Sequence, residues 1–385
     1  MYDYLFVGGG LASGLTARRI LDQNPAKRVL VVEAGERLGG NHTWSFFRTD
    51  LNDTQFASVA SLIEHEWDGY QVRFPRRVRD LTTHYCSTHS ERFHTVMSDA
   101  LSGSIRTGTP VADVTTTGIR LENGEVLNAA CVIDCRGPEP TPHLQLGFQK
   151  FTGQVWETAQ PHGLIRPIIM DASIPQDGDY RFVYVLPTGE SELMIEDTRY
   201  SNTPVIETAK DSSAIKAYAA RAGWSLSRLV REEAGALPIV LGGDINAFWD
   251  AAAGIPKLGL RAALFHATTG YSFAEAVRTA EAFADRMPTS TGEAFEFVRQ
   301  RSISHWRHQA YWRLLNRMLF MAAAPDARWI IMQRFYGLPE PLIERFYAGR
   351  SSMLDKMRIL VGKPPVAIGS ALRCVPETSA RQFQS

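Results

Sequence analysis

Cysteine is scarce in this chain. Its 385 residues hold four, at Cys86, Cys131, Cys135 and Cys374, with no C-x-x-C spacing. That pattern excludes a disulfide framework and argues against a metal site at Cys131 and Cys135, since no paired histidines accompany them. The four read as reduced, mostly buried thiols of a cytosolic protein. A surplus of charge is also missing: Lys and Arg total 41, and so do Asp and Glu. A neutral chain lacks the basic footprint that nucleic acid requires. No apolar run reaches the roughly 18 residues of a membrane span. The first strand begins at residue 2, so no signal peptide is expected. What is present suits an enzyme: the hydrophobic content is 44%, enough for a large core, and the length suggests two or three domains.

The first forty residues carry the clearest pattern. Tyr4-Leu5-Phe6-Val7 reads as a short buried strand, and Gly8-Gly9-Gly10 follows at once. A helical stretch covers residues 11–21, and a second apolar strand covers 29–32 and stops at Glu33. Gly39-Gly40 comes shortly after. This is a βαβ unit with the chemistry of dinucleotide binding. Glycines turn tightly at the strand end and admit a pyrophosphate, and the amides of Leu11 and Ala12 at the helix start favour its charge. Glu33 is placed to accept hydrogen bonds from a ribose. One position departs from the strict G-x-G-x-x-G spacing: Ser13 stands where the third glycine belongs, and Gly14 follows it. Serine is small enough to keep helix and strand close. The glycine pair after Glu33 resembles the flavoprotein pattern, in which an acid and a Gly-Gly pair bracket the flavin's path, and so favours FAD over NAD.

Further pieces of the nucleotide fold are expected downstream. A β-meander covers residues 112–114, 119–121 and 126–127, with a hairpin turn at Asn123-Gly124. Residues 132–137 form an apolar strand that runs into Gly137. A third strand–glycine–helix junction is expected from Leu258 through Gly270, with its helix over 272–287. It would bring the backbone of Thr269, Gly270, Tyr271 and Ser272 near a phosphate or a flavin ring. Flavoproteins of this type carry Gly-Asp at the start of that piece. Here Gly259-Leu260 stands instead, and one ribityl contact is lost.

Residues 148–234 alternate like antiparallel strands, with candidates at 154–158, 181–186 and 192–198 and a turn over 187–191. The last candidate runs Leu193-Met194-Ile195 into Glu196-Asp197. Neighbours on a strand point to opposite faces, so only one of these acids can face a given pocket. A carboxyl facing an apolar cavity holds its proton and can act as a general acid. The alternative is a surface strand end with two solvated acids. Beyond Arg299, arginines and tryptophans dominate as far as Arg334. Such a stretch suits a membrane interface, with Arg307, Arg313 and Arg317 as candidate contacts. The alternative is a helical cap packed on the core.

Four segments now carry a resemblance. VGGGLASGL, VVEAGERLGGNHTWSF, VLPTGESELMIEDT and FHATTGYSFAEAV together resemble the bacterial lycopene β-cyclase family of carotenoid biosynthesis, over nearly the whole chain. The segments around His42, Thr43 and Trp44 and around Thr269 to Ser272 are the specific ones. The resemblance implies an α/β fold. An FAD-binding, two-dinucleotide-type Rossmann-like domain (1–75, 86–147 and 235–290) would carry an inserted antiparallel β substrate domain (148–234) and a helical C-terminal region (291–385). It implies reduced FAD held by Gly8, Gly9, Gly10, Leu11, Ala12, Glu33, Gly39, Gly40, His42, Thr43, Trp44, Gly137, Thr269, Gly270, Tyr271 and Ser272, with NAD(P)H as electron source. Glu196 becomes the leading proton donor and Asp197 its partner. The implied reaction closes the ψ ends of lycopene to β rings, through γ-carotene to β-carotene, without net redox change. Implied partners are a lipid surface on the inner face of the membrane and other enzymes of the pathway. A flavin monooxygenase or a prenyl-chain reductase of the same fold is the alternative.

Overall fold

The computed structural model describes residues 1–361 and 366–383. Tyr2–Val7 and Val29–Val32 are buried strands joined by the helix Leu11–Gln23. They lie parallel in a six-stranded sheet. Its other strands are Ile105–Arg106, Val126–Asp134, Gly118–Leu121 and Val111–Val114. The last two pair antiparallel at one edge. The last meander strand and the strand returning to Gly137 prove to be one element. Val126–Asp134 pairs antiparallel with Gly118–Leu121 through its first half and parallel with Tyr2–Val7 through its second.

The second sheet has seven strands. In order it contains Leu226–Gly243, Leu144–Thr158, Glu192–Ser201, Tyr180–Gly189, Ile168–Asp171, Tyr70–Phe74 and Arg77–Leu81. Pairing is antiparallel except between Ile168–Asp171 and Tyr70–Phe74. Two of its strands are long, 15 residues for Leu144–Thr158 and 18 for Leu226–Gly243. A three-stranded sheet of Thr43–Phe47, Tyr85–His89 and His65–Trp67 is the remaining sheet among the described residues.

Two expectations need correction. Among the described residues no strand follows Leu258. Gly259–Ala262 is a 3-10 turn, and only Lys257 makes a bridge, to Asp134. The apolar run reads like a strand, but Gly259 and Ala263 both adopt positive φ and fold it back on itself. The helix expected next does form, over Phe273–Arg286. The second correction concerns the arginine-rich stretch. Arg313, Arg317 and Arg328 are buried, and only Arg307 of the three candidate membrane contacts is exposed. Arg317 donates to the carbonyls of Leu241 (2.7 Å), Cys374 (2.7 Å) and Val375 (3.1 Å). Arg328 donates to those of Leu319, Phe320 and Tyr200. The helices Thr291–His308 and Ala310–Arg317 therefore cap the core, tied to it by guanidinium groups. Within the expected helical region, residues 362–365 and 384–385 lie outside the described residues.

Candidate active site

The first cavity is built where the strand Tyr2–Val7 meets the helix Leu11–Gln23. Gly8 turns the chain with φ +98°, and a side chain there would lie 2.9 Å from the Cys135 carbonyl. Only glycine fits both the angle and the contact. Gly10 has an ordinary φ of −80°, and a side chain on it would meet nothing within 4 Å. The space beside Gly10 is the cavity itself. Ser13 is buried and donates its hydroxyl to the carbonyl of Gly8 or Gly10, at 2.6 and 2.9 Å. The departure from the glycine fingerprint thus reinforces the turn. Gly14 sits under the ring of Phe93. Glu33 accepts from the amides of Gly9 (2.6 Å) and Gly35 (2.8 Å), which fixes its carboxylate at the rim.

Gly8, Gly10, Leu11, Ala12, Glu33, Gly39, Gly40, His42, Trp44, Gly137 and Ser272 all line this cavity. Gly9 does not: its amide is spent on Glu33, and Leu38 packs over it. Arg136, Pro138, Thr109 and Leu260 are also on its wall. Sequence reading had not singled out the first three. The helix amides, the open space at Gly10 and the fixed carboxylate suit the pyrophosphate and ribose of a dinucleotide.

The second cavity adjoins the first. His42, Trp44, Leu260 and Ser272 line both. Its floor is the seven-stranded sheet and its walls are aromatic: Phe151, Phe182, Tyr184, Tyr200, Tyr271, Phe273 and Tyr347. Thr43, Thr269 and Gly270 line it as well. The tyrosine hydroxyls satisfy one another at the edge. Tyr85 lies 2.8 Å from Tyr271 and 3.1 Å from Tyr184, which in turn meets Ser45 at 2.8 Å. The body of the slot is left apolar and π-rich.

Glu196 projects into this slot. Burial raises its pKa to about 8, against the Thr198 hydroxyl that donates to it at 2.5 Å; Glu233 and Asp197 push the same way as burial. At neutral pH it is a carboxylic acid in a largely apolar chamber. Asp197 takes the other face of the strand. It lies fully buried against Arg181 on the adjacent strand, with bonds of 2.9 and 3.0 Å from Nε. Alternation along one strand thus separates an acid that faces the slot from one that ties two strands together.

Glu233 is a further carboxylate on the wall that sequence reading passed over. Arg231 reaches it at 2.5 Å and the Thr43 hydroxyl at 3.0 Å. Arg231 also donates to Thr43 at 2.9 Å. Asn41 adds two more, donating to the Glu232 carbonyl at 2.8 Å and accepting from Arg231 at 3.2 Å, so Asn41 and Thr43 clamp this loop to the end strand of the sheet. A local pattern could not reveal this, because the partners lie about 190 residues apart.

Fold and site together define a flavoprotein-type two-dinucleotide fold in which a nucleotide cradle opens into an apolar slot. Solved structures share that fold. A geranylgeranyl bacteriochlorophyll reductase-like protein from Thermoplasma acidophilum superposes with a TM-score of 0.60 at 13% identity, covering 94% of this chain and 96% of that one. A flavin-dependent brominase gives 0.58 at 13% identity, covering 90% and 93%.

The chain belongs to the lycopene cyclase family, whose profile, described as lycopene cyclase protein, matches residues 3–373. A lycopene beta-cyclase of Pseudescherichia vulneris is 50% identical over 373 residues, 97% of each chain. One from Pantoea ananas is 45% identical over 377 residues, 98% of each. One from Paracoccus sp. is 42% identical over 381 residues, 98% of this chain and 97% of that one.

Proposed function

We propose that this protein is a lycopene β-cyclase that binds FAD and converts both ψ ends of lycopene to β rings. One observation carries the reading. Glu196 is a buried acid, still protonated at neutral pH, on the wall of an aromatic slot that opens onto a dinucleotide cradle. In this reading the backbone of Gly10, Leu11 and Ala12 receives the pyrophosphate, and Glu33 the ribose. His42, Trp44 and Ser272 line both cavities at the junction, where they would hold the flavin ring. Reduced FAD, with NAD(P)H as its electron source, would supply negative charge beside a cationic transition state.

The chain's own groups do the rest. Glu196 gives its proton to the terminal double bond of the polyene and leaves a tertiary cation. The faces of Phe151, Tyr184, Tyr200 and Phe182 stabilise that cation, as aromatic quadrupoles attract positive charge. The packed slot keeps out water that would trap it. The neighbouring double bond then closes the six-membered ring.

The test is anaerobic incubation with lycopene in liposomes and reduced FAD, followed by pigment chromatography. γ-Carotene and then β-carotene should appear with no NAD(P)H consumed per ring once the flavin is reduced. Stoichiometric consumption of NAD(P)H, or of oxygen in air, would move the protein to the reductases or monooxygenases of this fold.

Delivery of the polyene from lipid belongs to the same reading. Among the described residues no helix is long and apolar enough to cross a membrane. The surface that suits a bilayer is the helix Met353–Leu360, rather than the buried arginines before it. Met353, Leu354, Met357, Leu360 and the following Val361 are exposed. Arg358, exposed on the same helix, suits an anionic headgroup layer.

A further inference from the structure

Four residues lie side by side across four strands. Tyr184 is paired with Glu196, Glu196 with Gly153, and Gly153 with Glu233. Residues paired laterally in a sheet share a face, and Tyr184, Glu196 and Glu233 all line the slot. The two glutamates are thus two strands apart, with a residue that has no side chain between them. Glu233 leans over that gap. A side chain on Gly153 would meet Met194 Cε at 3.1 Å and Glu233 Cγ at 3.2 Å, and stand 3.6 Å from Glu233 Oε1, so Met194 and Glu233 share the space over the glycine. Arg231 and Thr43 both donate to Oε2. Among the described residues none donates to Oε1. Glu233 is therefore an anchored carboxylate with one oxygen left for the slot, beside a glutamate that holds its proton. Glu232, one residue earlier, faces the other way, where Gln154 donates to it at 2.5 Å.

Resting on the cyclase reading, we propose that Glu233 is the base that removes the ring proton, so that Glu196 and Glu233 work as an acid–base pair across Gly153. The balance is complete without any further reagent. The O–H bond of Glu196 breaks as its proton joins the terminal double bond, which leaves a carboxylate and a tertiary cation. The second double bond supplies the electron pair of the new C–C bond, and the positive charge moves one carbon further into the new ring. The C–H bond at the ring-closing carbon then breaks. Its pair becomes the ring double bond, and its proton goes to Glu233 Oε1. Glu196 has lost one proton and Glu233 has gained one. Exchange with solvent after product leaves, with Glu233 giving up its proton and Glu196 taking one, resets the site for the second end of the polyene. His42 lines the same slot, and burial lowers its proton affinity against the pull of Glu233.

The test compares Glu233→Gln and Glu233→Asp with the wild type, using lycopene and lycopene deuterated at the ring-closing carbon. Flavin absorbance of each purified protein reports whether the site is intact. β-Ring formation should fall about 10²–10⁴-fold in Glu233→Gln, the usual loss for a general base, with flavin retained. Glu233→Asp should recover part of the rate. In the variants C–H cleavage becomes the slow step, so the deuterium isotope effect should rise above the wild-type value. A residue that merely holds Arg231 and Thr43 in place would not raise it. Near-wild-type rates, an unchanged isotope effect in both variants, or complete silence in both over long incubation would each overturn the assignment. If the wild type itself forms no β rings, the cyclase reading falls first.

Discussion

Glu196 and Asp197 are chemically similar neighbours in unlike surroundings. Glu196 has a pKa raised from 4.5 to about 8, chiefly by burial. The sign follows directly. Between those values the folded protein keeps a proton that the unfolded chain has lost, so the contribution of Glu196 is fully present below about pH 4.5 and fades as pH rises toward 8. Cyclisation by the wild type should therefore decline through a limb near pH 8, read from initial rates across a pH series. Glu196→Gln should bind FAD and polyene but form little product at any pH, and its stability should vary less over that window. Asp197 should show the opposite division. Asp197→Ala strands Arg181, whose side chain is 11% exposed, and should lower unfolding free energy by about 3–5 kcal/mol. Urea titration measures this. The molecules that remain folded should keep most of their activity. Gly8 and Gly10 form a second contrasting pair. Gly10→Val puts its branches into the cradle and should abolish flavin binding with the fold intact. Gly8→Val meets the Cys135 carbonyl and a positive φ, and should lose the fold as well.

At the scale of elements, reading by pattern succeeded wherever the cause was local. The strand–glycine–helix opening, the Asn123-Gly124 turn and the alternation of Glu196 with Asp197 all depend on residues within a few positions of each other. The misreadings have physical causes. Leu258 to Leu264 has strand-like composition, but two positive φ angles break it. The arginines after Arg299 carry the composition of a membrane face. Composition does not show whether a guanidinium points at headgroups or at orphan carbonyls, and here the carbonyls of Leu241, Cys374 and Val375 take Arg317. Glu233 was missed because its place beside Glu196 follows from the register of strands far apart in sequence. The two helices can be tested against each other. Arg317→Met leaves three carbonyls without a donor and should destabilise the protein by about 1–3 kcal/mol, with no loss of liposome binding. Met353→Glu combined with Leu354→Glu should do the reverse in co-sedimentation with anionic vesicles, leaving the urea midpoint unchanged.

At the scale of the molecule, one cradle is assembled from distant segments: the opening βαβ unit, the strand end at Gly137 and the turn at Gly259. A ligand that binds only this assembled form stabilises all of it. FAD at 100 times its dissociation constant should add about 2.7 kcal/mol to unfolding, visible as a shift of the urea midpoint that Gly10→Val fails to show.

The long strands carry another implication, for how the chain comes off the ribosome. Tyr70–Phe74 has its parallel partner at Ile168–Asp171, and Leu144–Thr158 has one neighbour at Glu192–Ser201 and the other at Leu226–Gly243. The first helix packs on Phe273–Arg286. Each early piece therefore waits for a later one: strand edges stay open until Leu226–Gly243 has emerged, and the first helix lacks its partner until Phe273–Arg286 follows. Such pairings form slowly and are vulnerable while they wait. Synthesis at lower temperature, or with more chaperone present, should raise the soluble yield of this protein more than any single surface substitution.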